Sequence, residues 1–100
     1  MVKKLRVVWD DAAKKFFRSA IDYIKNDSPQ NAQNVRKAIL NATRELSENP
    51  LIHPIDKYSA NKDVSNRTFE LYRFRIAYHV SDAEVRIIRM RHTSQEPLDY

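Results

Sequence analysis

The chain of 100 residues contains no glycine. Glycine is the residue that takes left-handed backbone at no steric cost, and loops that wrap a phosphate or present a nucleophile on a sharp turn depend on it. A Walker loop, a G-x-G-x-x-G dinucleotide turn and a G-x-S-x-G elbow are therefore excluded. Cysteine is absent as well. Disulfides, thiolate metal sites and a cysteine nucleophile go with it, so stability must come from packing, which suits a reducing compartment. Of the metal-binding side chains that remain, the three histidines His53, His79 and His92 include no pair at the short helical spacing of a zinc motif. Neither a metal nor a small-molecule cofactor is expected.

Apolar periodicity sets out one domain over residues 1–100. Leu5-Arg6-Val7-Val8-Trp9 is rich in β-branched and aromatic residues and predicts a strand at about 3–9. Asp10 and Asp11 supply N-cap acceptors for the helix that follows. Ala13, Phe16, Phe17, Ala20, Ile21 and Ile24 recur at spacings of three and four, one stripe on a helix over 11–25. Ser28-Pro29 ends that helix and starts the next, with Ser28 as cap and Pro29 at the first helical position. Ala32, Val35, Ile39, Ala42 and Leu46 then mark a second helix over 29–48, antiparallel to the first. Residues 49–66 have no period, and a loop of roughly 18 residues is long enough to be functional or mobile. Strands are predicted at 68–72, 74–80 and 84–91, the last two joined by a Ser81-Asp82-Ala83 turn that works without glycine. The order β-α-α-β-β-β defines an α+β fold, an antiparallel sheet packed on an N-terminal α-helical hairpin.

Charge is unevenly placed. Eighteen lysines and arginines against thirteen acidic residues give +5, which favours a polyanionic partner. No apolar run approaches the roughly 20 residues that span a bilayer, and the basic N-terminus has no apolar region after it. A cytoplasmic protein without a membrane partner is expected. From Arg67 onward the cations are all arginine: Arg67, Arg73, Arg75, Arg86, Arg89 and Arg91. A guanidinium held on a strand presents a planar fork suited to phosphate. If the last two strands pair, Arg75 lies beside Arg89 and Arg91, and such neighbours repel unless an anion sits between them. The alternative is that they point to opposite faces or pair with Glu70, Glu84 and Asp82. His92 follows Arg91, and nearby positive charge favours its neutral form. A neutral imidazole beside phosphate-binding arginines suits RNA cleavage by transesterification, with His92 as base or acid. Strict alternation nevertheless puts Arg89 and Arg91 on one face and His92 on the other, so that site requires the strand to end or bend at His92. Tyr58, Tyr72 and Tyr78 could stack on bases; packing is the default for each.

The β-α-α-β-β-β order, the early Val7-Val8-Trp9-Asp10, the segment Tyr72-Arg73-Phe74-Arg75-Ile76-Ala77-Tyr78 and the segment Ile87-Ile88-Arg89-Met90-Arg91-His92 together resemble the RelE/ParE superfamily of bacterial toxins from type II toxin–antitoxin systems. The resemblance implies a small cytoplasmic toxin held inactive by a cognate antitoxin that is acidic in its binding segment. One branch of the superfamily cuts mRNA on the ribosome without a metal; the other inhibits DNA gyrase and has no known nuclease chemistry. In the ribosome-dependent branch, Arg75 falls where an arginine contacts the scissile phosphate, and His92 falls on the strand-end histidine. Arg89 or Arg91 would be the last-strand arginine. Lys57, Lys62, Arg67 and Arg73 would then hold ribosomal RNA. Thr93 stands where many nuclease members carry a tyrosine. Glu70 and Tyr72 stand where RelE has two lysines. The expectation from the sequence is thus mRNA cleavage, with gyrase inhibition, or antitoxin or nucleic-acid binding without toxicity, as alternatives.

Overall fold

The computed structural model describes residues 4–57 and 63–95. Lys62 and Tyr58 lie outside the described residues. The elements run β1 (Arg6–Trp9), α1 (Asp11–Asp27), α2 (Pro29–Glu45), β2 (Asn66–Leu71), β3 (Phe74–Val80) and β4 (Glu84–His92), with a 3-10 turn at Thr93–Gln95. This is the expected order.

Local chemistry accounts for the boundaries. Ser28 caps α2, its hydroxyl accepting from the Asn31 backbone N–H at 3.1 Å with Pro29 following. One residue therefore separates two helices. Asp10 occupies the N-cap position of α1 without capping it, because its carboxylate pairs with Arg86 at 2.8 Å. The helix α2 stops at Glu45, three residues short of the expected end. In the Ser81-Asp82-Ala83 turn the Ser81 hydroxyl accepts from the Glu84 backbone N–H at 3.2 Å, so a side chain does what glycine geometry does elsewhere.

The sheet order is β1-β4-β3-β2. The strands β2, β3 and β4 form an antiparallel meander, whereas β1 joins β4 in parallel, making the sheet mixed. A parallel neighbour needs a crossover, and the helical layer supplies it. One face of the sheet carries Phe69, Phe74, Ile76, Tyr78, Val85, Ile87 and Met90 into a core shared with Ala13, Phe17, Val35, Ile39 and Leu46. Each large buried side chain contributes about 1.5–3 kcal/mol. Phe17 meets Trp9 at 5.2 Å, and Phe16 meets Phe74 edge-on at 6.2 Å.

In β4 Ile88 is a bulge: Tyr78 pairs with Ile87 and Ala77 with Arg89, which leaves Ile88 without a partner. Period-2 reading from Val85 and Ile87 would carry Arg89 and Arg91 into the core. The extra residue resets the phase, so Met90 is buried instead.

Within the stretch expected to be aperiodic, the described residues 49–57 are tied down. Tyr78 is fully buried and its hydroxyl donates to the Pro50 carbonyl at 2.8 Å. His53 stacks on Phe69 at 4.4 Å, and Arg67 donates to the carbonyls of His53 and Val64 at 3.0 and 2.7 Å. Burial lowers the pKa of His53, with Glu45 opposing, and raises that of Tyr78. Among the described residues no helix is long and apolar enough to cross a membrane.

Candidate functional site

Arg75, Arg89 and Arg91 share the sheet face turned away from the helices, whereas Arg67 is paired with the core-facing Tyr78. Register sets Arg75 directly opposite Arg91, and Arg89 opposite the small Ala77. The neighbouring β2 residue in the first row is Glu70. Its carboxylate accepts from Arg75 at 2.8 Å, and the Arg75 side chain is only 12% exposed. Arg75 is thus a guanidinium held by a carboxylate, and Arg91 across the strand adds a second positive charge. The Arg91 Nε is buried with no hydrogen-bond partner. Like charges directly opposite destabilise a strand pair, so this row gains from an anion.

Arg86 does not belong to that row. It donates to Asp10 at 2.8 Å and to Glu84 at 2.7 Å. Those two hydrogen bonds, the one to Asp10 first, raise its pKa further. It bridges β4 to the start of α1.

His92 lies on the other face. It is in phase with the buried Met90 and lines a hollow of about 360 Å³ with Phe16, Tyr23, Tyr72 and Phe74. Its ring stands edge-on to Phe74 at 5.5 Å. The Ser94 hydroxyl lies 2.8 Å from Nδ1, and the Ser94 backbone N–H donates to the same atom at 3.2 Å. Beyond the Ile88 bulge the pairing runs regularly to the strand's end at His92, which sets the imidazole and the guanidiniums on opposite faces of the sheet.

The residues expected to hold RNA are scattered. Arg67 is committed to backbone carbonyls of the loop. Lys57 is exposed and lines a hollow of about 600 Å³ with His53, Phe69, Glu70 and Arg75. Arg73 is exposed on the β2–β3 turn, where it and Tyr72 both take positive φ, 66° and 51°. Lys62 is outside the described residues. Among those described, no three of the side chains that bind metals come together.

One feature escaped the sequence reading. The strand β1 pairs only with Glu84–Ile87 of β4, so among the described residues Ile88–His92 has no strand on that side. A groove of about 530 Å³ runs along this free edge beside α1. Phe16, Ile88 and Met90 contribute its apolar floor, and Lys15, Arg89 and Arg91 its charged rim, with no carboxylate among the lining residues. No sequence signal marks it: the strands expected at 3–9 and 84–91 are nearly equal in length, and only the structure shows a four-residue β1 beside a nine-residue β4.

Fold and site define a small basic α+β domain, with a guanidinium row on one sheet face and a cation-rimmed groove at the sheet edge. Residues 7–97 match the family described as the ParE toxin of the type II toxin-antitoxin system, parDE. The chain belongs to that family, in which a toxin is paired with a cognate antitoxin. A solved structure described as the chromosomal ParDE TA system from P. aeruginosa shares the fold, with a TM-score of 0.71 at 17% identity over 90% of this chain and 97% of that one. No curated protein sequence matches at a significant level.

Proposed function

We propose that this toxin acts by binding rather than by chemistry, with DNA gyrase as its target. The observation that carries this reading is the separation of His92 from Arg75, Arg89 and Arg91 by the thickness of the sheet. Cleavage by transesterification needs a base within hydrogen-bond reach of the 2′-hydroxyl while cations hold the adjacent phosphate. Residues i and i+1 on a regularly paired stretch of strand point to opposite faces and do not serve one phosphate. His92 is instead a packing group against Phe74.

A supercoiling assay with purified gyrase tests this. Inhibition by the toxin should survive His92→Gln and weaken in Arg89→Ala and Arg91→Ala. The second reading is mRNA cleavage on the ribosome, and the Arg75–Arg91 pairing is the observation in its favour. Transcript cuts within codons on translating ribosomes, lost in both Arg75→Ala and His92→Ala, would overturn the binding reading.

For the antitoxin, the groove beside α1 fits an acidic segment. The free edge of β4 offers backbone donors and acceptors for an added strand, the floor takes apolar side chains, and the rim takes carboxylates. Association should weaken with salt, and Lys15→Glu and Arg91→Glu should each lower affinity.

A further inference from the structure

The outward face of α2 has an unusual composition. Gln30, Gln33, Asn34, Lys37, Asn41 and Arg44 are all exposed and recur at spacings of three and four. They lie opposite the buried Ala32, Val35, Ile39 and Thr43. The arc therefore holds four carboxamides and two cations, with no carboxylate and no large apolar side chain. Two of the three glutamines in the chain stand on it. The helix also carries Arg36, and Glu45 is its one acidic residue, although the chain has thirteen. No acid occupies its first turn, where one would stabilise the helix dipole. The ion pairs among described residues leave all three α2 cations unpartnered. Gln30 donates to Asn34 Oδ1 at 3.4 Å, one turn on; among the described residues no ion pair stabilises the helix on this face.

Its chemistry selects a ligand. A protein partner is ordinarily anchored by aromatic or aliphatic side chains in a contact centre, and the arc offers none. Unpaired RNA or DNA bases need aromatic platforms, and these are also missing from the arc. Double-stranded RNA has a deep, narrow major groove that side chains do not read. B-form DNA has a major groove about 12 Å wide that admits a helix of about 10–12 Å diameter. Carboxamides pair with adenine edges there in bidentate fashion, and lysine and arginine neutralise phosphates. Seventeen residues give about 25 Å of helix to lie along it.

We propose that the outward face of α2 contacts duplex DNA, with Lys37 and Arg44 on phosphates and Gln33, Asn34 and Asn41 on base edges of the major groove. This surface is separate from the arginine row and from the groove beside β4, and it does not depend on which target the toxin poisons.

The test is fluorescence anisotropy with the full chain and a labelled mixed-sequence B-DNA duplex, titrated with salt. Binding should fall as salt rises. The slope of log K against log salt should drop by about 0.9 in each of Lys37→Ala and Arg44→Ala. Arg6→Ala, which removes the same charge from β1, outside the arc, should leave the slope unchanged. Asn34→Ala and Asn41→Ala should keep the slope but lose about tenfold of any base preference found by selection from random duplexes. Thermal melts of each variant confirm that the fold is retained. The proposal is overturned by absence of duplex binding at low salt, or by slopes that Lys37→Ala and Arg44→Ala leave unchanged. Tighter binding to single-stranded or double-stranded RNA overturns it too, as does a loss confined to antitoxin binding.

Discussion

The β2–β3 turn offers a direct test of strain stored in the backbone. Tyr72 and Arg73 both hold positive φ, 51° and 66°, which is the geometry of a two-residue hairpin that normally takes Asn-Gly. A left-handed L-residue costs roughly 1–2 kcal/mol because its Cβ crowds the backbone. The strain at Arg73 can be isolated, since its side chain is exposed and its carbonyl, which accepts from the Thr93 N–H at 2.8 Å, survives any substitution. Arg73→Gly removes the Cβ clash but adds about 0.5–1 kcal/mol of unfolded-state entropy. The net gain is about 0.5–1 kcal/mol. In a chain this size that raises Tm by about 2–8 °C and moves a urea midpoint upward by about 0.2–1 M. Arg73→Ala keeps the Cβ and should show no gain. Circular dichroism melts and urea titrations of the three proteins side by side measure the effect. If Arg73→Gly is no more stable than Arg73→Ala, the turn is not strained and the reasoning fails. If Arg73 contacts the target, the same variant should be more stable and less toxic.

Three further outcomes follow from the core and the caps. Tyr78→Phe removes the hydroxyl that reaches the Pro50 carbonyl, and a chemical denaturation series should show a loss of about 1 kcal/mol. Ser28→Ala removes the α2 cap and should cost about 1 kcal/mol, read as a lower Tm with unchanged helical content below it. Burial depresses the pKa of His53 from its ordinary 6.5. The unfolded chain then binds the proton more readily, so His53's contribution is intact above pH 6.5 and declines as pH falls from there through the lowered folded pKa. Urea midpoints across that range should drop less steeply in His53→Phe than in the native chain.

How far the sequence foretold this depends on where each signal lies. The helical stripes, the Ser28-Pro29 junction and the Arg75–Arg91 adjacency rest on local spacing, and local spacing is readable. The Ile88 bulge was not, because Ile87-Ile88 looks like an ordinary apolar run and only pairing with Ala77 and Tyr78 reveals the extra residue. The segment after α2 looked loose because its order comes from distant partners, His53 on Phe69 and Arg67 on two carbonyls. Asp10 looked like a cap but is drawn off by Arg86, which lies 76 residues away in the chain. The Tyr72-Arg73 turn carries neither Asn nor Gly to announce it. The parallel pairing of β1 with β4 needed the whole topology.

The same two guanidiniums, Arg89 and Arg91, stand at the rim of the groove beside α1 and in the row opposite Ala77 and Arg75. This shared position has a consequence for neutralisation. An acidic antitoxin segment in the groove would draw both side chains toward its carboxylates, and the target would then meet a row from which two of its three charges had been withdrawn. No conformational change in the toxin is needed, only competition for two residues on one strand. Neutralisation should then be stoichiometric and weaker at high salt. Arg91→Glu should impair antitoxin binding and gyrase inhibition together, whereas Lys15→Glu, on the rim alone, should impair only the first. Equal loss of both activities in Lys15→Glu would mean that the groove itself, rather than the shared arginines, meets the target.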